Sequence, residues 1–330
     1  MGDTQNVTVT GAAGLIGSWL VEQLVADGAK VIAIDDFSRG QPDNLKSVAD
    51  RIDLRIANLE DPAEAAGALE GADVVYHLAS RAFGVAYSEG RHLGILQHNE
   101  SITQNLLNAL ALRPPRHLLV TSSSSVYPDD GPDCVAELPV FTGEPEQVNW
   151  GYGWSKRLLE QKASLFSKEA GTPVTIVRPF NVYGERYRWA GGYSQAMPML
   201  VKRVMDGEDP VIVWGSGEQR RSYIHAADCA RMMRFLVDAG HAAQPVNLGT
   251  EETISMRELV VRIAAAGDQS PRVEVDPDKP EGRFIKSADM TRFRSIVPEF
   301  EFAMSLDDGL ARMIEWYWGT DFTYEGDLQA

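Results

Sequence analysis

A glycine-rich turn near the start of the chain constrains the fold most strongly. Gly11, Gly14 and Gly17 follow a β-rich run, 6–10, and precede a segment whose apolar residues recur at helical spacing to about residue 27. A helix N-terminus offers unpaired N–H groups and the positive end of the helix dipole, which suit a pyrophosphate. The glycines would permit the bend, the approach of phosphate and the packing of helix on strand. This pattern predicts a dinucleotide-binding turn, and the alternative is a glycine-rich connector without a ligand.

Strand-like and helix-like segments alternate over the first half of the chain. Helical patterns lie at about 61–70, 93–112 and 152–170, between strand-like runs at 6–10, 30–34, 52–56, 73–78, 117–122 and 173–178. This alternation predicts an α/β fold with a Rossmann-type, doubly wound parallel sheet. After about residue 180 the elements are shorter and no clean linker is evident. We therefore expect a Rossmann domain over 1–180 and a smaller mixed α/β region over 181–330, with some interleaving.

Composition and charge disfavour several classes of function. The chain has 31 Lys and Arg against 47 Asp and Glu, a net charge of −16, and no basic stripe, which disfavours nucleic-acid binding. Its two cysteines and six histidines lack the spacing of a metal site. No run approaches the roughly 18 apolar residues that span a bilayer, and the first residues lack a basic region and a cleavage site. We expect a cytoplasmic protein without metal, nucleic-acid or membrane partners.

A carboxylate at the end of the second predicted strand indicates the type of dinucleotide. Asp35 lies 18 residues after Gly17, where a carboxylate can bind the adenosine ribose hydroxyls. Since it would repel a 2′-phosphate, NAD(H) is favoured over NADP(H). Two alternatives stay open: the adjacent Asp36 can be the inward residue, and an aspartate at a strand end is also common turn chemistry.

A phenol and an ammonium lie four residues apart on one face of a predicted helix. Tyrosine has a pKa near 10, but a nearby Lys156 together with a positive nicotinamide ring would lower the pKa of Tyr152. The phenolate can then take a hydroxyl proton while hydride leaves the same carbon. A serine-rich run, 122–125, follows the fifth strand at the sheet edge where such folds bind ligands. Each pattern alone also arises by chance, the pair in many helices and the serines in solvated loops.

Taken in order, these motifs resemble a known family. The resemblance is to the extended short-chain dehydrogenase/reductases, and within them to the NAD-dependent nucleotide-sugar epimerases and dehydratases. It covers nearly the whole chain and is carried by the glycine turn, Asp35, 77–80, Asn99, 121–127, Tyr152 with Lys156, 178–184, 221–225 and 309–317. Some segments, 189–192, 214–217 and 280–283, are similar to GDP-mannose 3,5-epimerase.

The resemblance implies a role for each matching position. Ser123 would share the substrate proton, Tyr152 would be the base, and Lys156 would bind the nicotinamide ribose and lower the pKa of the tyrosine. The implied NAD site consists of Gly11, Gly14, Leu15, Ile16, Gly17, Asp35, Asp36, Asn58, Leu59, Leu78, Ala79, Ser80, Asn99, Tyr152 and Lys156. The implied site for a nucleotide-diphosphate sugar consists of Phe83, Ser124, Ser125, Asn181, Arg221 and Arg283. Arg178, His77 and His225 are expected to belong to the framework.

Departures from the subfamily patterns narrow the reaction. Dehydratases carry Asp-Glu, and decarboxylases a Glu, where this chain has Ser124 and Ser125, so no carboxylic acid at these positions can protonate a leaving hydroxyl. The 3,5-epimerase uses cysteine where Ser125 stands and lysine where Gln195 stands, and the pKa of a serine is too high to replace a thiolate easily. We therefore expect a NAD-dependent epimerase that inverts C4 of a GDP- or UDP-linked hexose through a 4-keto intermediate.

Three alternatives to C4 inversion remain at this stage. They are a reductase of a 4-keto nucleotide sugar, a 3,5-epimerase of a GDP-sugar, and a non-catalytic sensor of NAD or a nucleotide sugar. The resemblance also implies a homodimer, because the family commonly pairs the helix around 97–111 and the helix from residue 152 with their copies. In this chain both helices carry leucines on more than one face: Leu106, Leu107, Leu110, Leu158, Leu159 and Leu165.

Overall fold

A parallel sheet of seven strands organises this computed structural model, which describes residues 6–82, 84–187, 189, 196–242, 244–279 and 283–320. The described strands of this sheet and of three smaller sheets are, in chain order, β1 (Asn6–Thr10), β2 (Lys30–Asp35), β3 (Ile52–Ile56), β4 (Val74–His77), β5 (His117–Thr121), β6 (Cys134–Val135), β7 (Val174–Pro179), β8 (Val182–Tyr183), β9 (Val211–Trp214), β10 (Arg220–Arg221), β11 (Ile224–His225), β12 (Pro245–Leu248), β13 (Ile254–Ser255), β14 (Val273–Asp276) and β15 (Ile285–Ala288).

The described helices alternate with these strands in the first half of the chain. They are α1 (Leu15–Ala26), α2 (Pro62–Ala68), α3 (Val85–Ser88), α4 (His92–Leu112), α5 (Trp150–Ala170), α6 (Ala196–Met205), α7 (Ala226–Asp238), α8 (Met256–Ala266), α9 (Thr291–Ile296) and α10 (Leu306–Gly319). Short 3₁₀ segments lie at Pro42–Arg51, Ser124–Val126 and Gln147–Asn149.

The order of the strands in the large sheet places a ligand site at its centre. The order is β12-β7-β5-β4-β1-β2-β3, and every pairing in it is parallel. From β1 the chain builds outward through β2 and β3, and then returns to β4 on the other side of β1. In a doubly wound sheet, ligands bind at the carboxyl ends of the strands where the order reverses. The predicted α/β fold with a Rossmann-type sheet is confirmed.

Helices cover both faces of this sheet, whose central strands are buried on both sides. On one face, the core that includes Val9 and Val31 also contains Leu20 of α1 and Met233 of α7. On the other face, Ile32, Val75 and Val120 of the strands pack in one core with residues of α2, α4 and α5. A third core joins α6, α8 and α10 to β9.

The two halves of the chain exchange strands. β12, from the second half, pairs with β7 in the large sheet, while β6, from the first half, pairs with β15 in a sheet of order β13-β10-β15-β6. Both elements cross the division predicted at residue 180, which stays a prediction. None of the described helices is both long enough and apolar enough to cross a membrane.

Most of the predicted dimer leucines pack inside their own chain. Leu106, Leu107, Leu110 and Leu159 are buried in the core beneath the sheet, while Leu165 is 44% exposed. Helices α4 and α5 turn these four leucines toward the strands, so packing against the sheet accounts for them. The homodimer itself stays a prediction.

The glycine turn leaves no room for side chains at two positions. Gly11 has a φ of +68°, and a Cβ there would lie 2.7 Å from the backbone nitrogen of Ala79, in the segment that follows β4. A Cβ at Gly17 would lie 2.1 Å from the carbonyl oxygen of Gly11. The turn and the first turn of α1 are therefore in backbone contact, as the predicted packing of helix on strand requires.

The substitution Gly17→Ala tests this contact. Because the methyl group meets backbone rather than a flexible side chain, we expect the free energy of unfolding to fall by about 1–3 kcal/mol. Urea unfolding monitored by circular dichroism would measure it. Gly67→Ala is the matched control, since a Cβ in α2 meets nothing within 4 Å, and equal losses in both variants would contradict the account.

Candidate active site

A cavity of about 830 Å³ lies at the carboxyl ends of the central strands. Its walls come from the segments that follow β1, β2, β3, β4 and β5, together with the start of α5 and residues of the second half of the chain. Most of the predicted site residues line it: Gly11, Gly14, Leu15, Ile16, Gly17, Asp35, Asp36, Asn58, Leu59, Leu78, Ala79, Ser80, Ser123, Ser124, Ser125, Tyr152, Lys156, Asn181, Arg221 and Arg283.

The N-terminus of α1 faces this cavity without a side-chain cap. Gly14 is the N-cap residue and offers no side chain, while Leu15, Ile16 and Gly17 begin the helix along the cavity wall. The backbone N–H groups at the start of a helix have no partners within the helix. This end of the cavity therefore presents donors and a positive dipole end to a ligand, which suits a phosphate group.

Asp35 connects the glycine turn to the end of β2. One of its carboxylate oxygens accepts from the N–H of Ala13 at 2.8 Å, and the other accepts from the N–H of Phe37 at 2.8 Å. Burial raises the pKa of Asp35 although both backbone hydrogen bonds act to lower it. Asp36 accepts from the N–H and the hydroxyl of Ser38 at 2.9 and 2.6 Å. Both carboxylates line the cavity, so the choice between them as the ribose ligand stays open.

The three predicted catalytic residues meet in the same cavity. Lys156 donates from Nζ to the carbonyl oxygen of Thr121 at 2.9 Å, and its Nζ lies 5.4 Å from the centre of the Tyr152 ring. Ser80 and Ser123 line the cavity together with Tyr152, and both side chains act to lower the pKa of the phenol. The geometry can thus pass a proton between a bound hydroxyl, Ser123 and Tyr152.

Burial dominates the pKa values of the phenol and the ammonium in the protein alone. Burial raises the pKa of Tyr152 above its ordinary value of 10, although Ser80, Ser123 and the charge of Arg39 act to lower it. Burial also lowers the pKa of Lys156 to about 7. Lys156 is not among the groups that shift the pKa of Tyr152 in the protein alone, and its effect together with a nicotinamide ring stays a prediction.

The low pKa of Lys156 predicts a pH dependence of stability. Between pH 7 and 10.5 the unfolded chain keeps the lysine proton that the folded chain has lost, so stability rises with pH in this window. In the protein without cofactor, the unfolding free energy of wild type should rise by about 1–2 kcal/mol relative to that of Lys156→Met between pH 7 and pH 8.5. Urea titrations at both pH values measure this shift, and equal slopes in the two proteins would contradict it.

Polar residues of the second half of the chain complete the cavity. Asn181 donates from its amide to the carbonyl oxygen of Ser222 at 2.8 Å. Arg221 donates to the carbonyl oxygen of Arg220 at 2.8 Å, and Arg283 donates to those of Pro128 and Pro132. These two guanidinium groups are among the arginines of the cavity wall in a strongly acidic chain, and they can bind an anionic ligand there.

Two predicted site residues do not belong to the described cavity wall. Asn99 lies outside it, where its amide exchanges hydrogen bonds with the backbone of Arg81 and so holds the segment after β4 in place. Phe83 lies outside the described residues. Asn99 thus supports the wall from behind, which a sequence pattern cannot distinguish from direct contact with a ligand.

The residues expected to be framework have partners away from the cavity. Arg178 is fully buried and pairs with Glu160 at 2.7 Å. His77 hydrogen-bonds Thr10 at 2.8 Å through Nδ1. His225 caps the N-terminus of α7 and meets a carboxylate through its other nitrogen.

The sequence reasoning missed an ion pair in the cavity wall. Glu146 and Lys286 lie 2.9 Å apart and both line the cavity. Burial alone would raise the pKa of Glu146, but Lys286 and hydrogen bonds from Asn149 and Ser125 outweigh burial and lower it. The run of Ser, Pro, Asp and Gly residues over 123–149 is a sequence signal for a functional loop around Glu146, whereas the segment around Lys286 carries no such signal.

Comparisons with known proteins indicate the family of this chain. The profile described as "NAD dependent epimerase/dehydratase family" matches residues 7–249. A dTDP-4-dehydro-6-deoxy-D-allose reductase of Streptomyces bikiniensis is 30% identical over 317 residues, which cover 95% of this chain and 96% of that protein. A solved UDP-glucuronic acid 4-epimerase of Bacillus cereus, in complex with UDP-glucuronic acid and NAD, is 26% identical, with a TM-score of 0.82 over 96% of this chain and 99% of that one.

Proposed function

This chain belongs to the NAD dependent epimerase/dehydratase family, and we propose that it inverts C4 of a hexose carried on a nucleoside diphosphate. The observation that carries this proposal is the cluster of Tyr152, Ser123 and Lys156 in one cavity with the glycine turn. Serines stand at 124 and 125, where the family's elimination chemistries use a carboxylic acid. The proposed reaction needs only the proton path and the cofactor.

The state of Glu146 also disfavours elimination of water. A general acid must carry the proton that it gives to a leaving hydroxyl. Glu146 is the carboxylate beside Ser125, and its pairing with Lys286 holds its pKa low, against the effect of burial. An ionised carboxylate accepts hydrogen bonds and has no proton to give. This supports a redox epimerase over a dehydratase.

NAD is the cofactor of this family, and the described residues fit it. The uncapped start of α1 suits a pyrophosphate, and a side chain at Gly11 would collide with the backbone of Ala79, so this part of the turn stays bare. Asp35 or Asp36 would hold the adenosine ribose, Asn58 and Leu59 would contact the adenine, and Lys156 would hold the nicotinamide ribose. The chemistry that NAD supplies when bound is reversible hydride transfer at C4.

The side chains of the chain itself would move the proton and hold the substrate. Tyr152 accepts the proton of the O4 hydroxyl, and Ser123 holds that hydroxyl so that the proton lies between the two oxygens. Asn181, Arg221 and Arg283 would hold the nucleoside diphosphate while the 4-keto hexose turns in the cavity. Tyr152 then returns the proton to O4 of the turned sugar, which would present the opposite face of C4 to the cofactor for the return of hydride.

Incubation with UDP- and GDP-hexoses in deuterium oxide tests the position of inversion. Because the hydride returns to the carbon that it left, we expect a mixture of C4 epimers without deuterium at carbon, read by proton NMR. Deuterium at C3 or C5 would instead reveal enolisation and a 3,5-epimerase. A 6-deoxy product would reveal a dehydratase, and either result would contradict the proposal.

The substitution Tyr152→Phe tests the proton path. We expect kcat to fall by about 10²- to 10⁴-fold, the usual contribution of general acid–base catalysis, while the affinities for NAD and nucleotide sugar stay within about threefold. Steady-state kinetics and calorimetry measure the two effects. Tyr87→Phe, outside the cavity wall, is the matched control, and a Tyr152→Phe protein with full turnover would refute the role of the phenol.

Reduction of a 4-keto nucleotide sugar is the second candidate, favoured by the 30% identity to the Streptomyces reductase. That reaction uses the same tyrosine and lysine but consumes one NADH per turnover. Purified enzyme that inverts C4 without added dinucleotide would exclude it. Stoichiometric loss of NADH absorbance with a 4-keto substrate, and no C4 inversion, would establish it instead.

A further inference from the structure

Three side chains from distant parts of the chain form a buried polar cluster in the cavity wall. Ser125 lies in the 3₁₀ segment after β5, Glu146 precedes α5, and Lys286 lies in β15. The Ser125 hydroxyl donates to Glu146 at 2.9 Å, and the Lys286 ammonium donates to the other carboxylate oxygen at 2.9 Å. Ser125 and Lys286 are buried, and the Glu146 side chain is 13% exposed. All three line the cavity.

The charge state of Glu146 dictates the direction of these hydrogen bonds. The Glu146 oxygen that accepts from Ser125 also accepts from the Asn149 amide, at 3.1 Å. An ionised carboxylate can only accept, and a serine hydroxyl has a single proton. The proton of Ser125 is therefore committed to Glu146, and what the Ser125 oxygen still offers the cavity is its lone pairs.

We propose that Glu146 acts through Ser125 as a positioning residue for sugar selection, so that Ser125 accepts a hydrogen bond from one ring or exocyclic hydroxyl of the bound sugar. The inference rests on the proposed function, because it takes the ligand to be a nucleotide sugar. Fluorine or a carboxylate can only accept hydrogen bonds. Such a substituent would face the lone pairs of Ser125 without a proton between them, and no hydrogen bond would form. Because Glu146 balances the positive charge of Lys286, this polar cluster favours a neutral hexose over a uronate.

The substitution Glu146→Gln reverses the direction of the hydrogen bond between residue 146 and Ser125, with little change in the shape of the side chain. The Lys286 ammonium can only donate, so the amide oxygen of the new side chain turns toward Lys286 and its NH₂ group turns toward Ser125. Ser125 then accepts from that NH₂ group, and its own proton is free to point into the cavity. The variant should therefore tolerate an accepting substituent that the wild type rejects, once the Asn149 amide rotates to present its oxygen.

Binding to the NAD-loaded protein tests the proposal without relying on turnover. Isothermal titration calorimetry with UDP-glucose, or with GDP-mannose if UDP-glucose does not bind, is compared with the 2-, 3- and 6-deoxyfluoro analogues. For the wild type we expect one analogue to bind about five- to tenfold more weakly than its parent, the loss of one hydrogen bond. In Glu146→Gln and Ser125→Ala the same ratio should fall to about twofold or less.

Glu144→Gln is the matched control, since Glu144 lies in the same loop, outside the cavity wall, and accepts from Trp150. It should keep the wild-type ratio. Thermal unfolding of each variant checks folding, and Ser125→Ala gives the result if Glu146→Gln is unstable. If Glu146 only braces the loop, Glu146→Gln weakens the parent and all analogues equally and Ser125→Ala leaves the ratio unchanged, which would overturn the inference.

The outcomes separate this inference from the proposed reaction. Selective binding without C4 inversion would refute the reaction and leave the selection of a hydroxyl intact. C4 inversion with equal binding of all three analogues would do the reverse. A protein that binds neither nucleotide sugar would contradict both.

Discussion

The burial of a lysine beside a tyrosine is the constraint on which the site depends. Removing an ammonium from water is costly, and burial lowers the pKa of Lys156 to about 7 while raising that of Tyr152. Among the described contacts, the carbonyl oxygen of Thr121 at the end of β5 accepts from this ammonium at 2.9 Å. The pair is therefore held where the sheet ends, and in the protein alone burial keeps the pKa of the phenol above its ordinary value.

The sheet topology brings the remaining groups to that pair. The order of strands places the ends of β1, β4 and β5 side by side, so the bare glycine turn, Ser80 and the serines after β5 meet above them. Strand exchange between the halves then carries the second part of the chain over the same edge, where β10 brings Arg221 and β15 brings Lys286. The cavity is thus a product of two interleaved sheets rather than of one domain.

Local patterns predicted what depends on neighbours in sequence. The seven-residue glycine turn, the strands of the first half and the spacing of Tyr152 and Lys156 follow from backbone geometry over a few residues, and the described elements match the predicted ones within about two residues. The pair Glu146 and Lys286 is separated by 140 positions, and no periodicity connects them. The effect of burial on the pKa of Tyr152 is not predictable from the sequence for a related reason: spacing identifies its neighbours but not how much water the fold removes. The leucines of α4 likewise show an apolar pattern that cannot tell a sheet from a partner subunit.

The fate of the hydrogen at C4 tests the central claim, which is that one cavity holds the sugar, the phenol and the cofactor through a complete cycle. A nucleotide hexose deuterated at C4 should be converted by the NAD-loaded enzyme, with unlabelled NADH in the solution, into a C4 epimer that keeps its deuterium at C4. Mass spectrometry of the product and of the added dinucleotide would measure this. Deuterium found in the solvent or in the added dinucleotide would contradict the account.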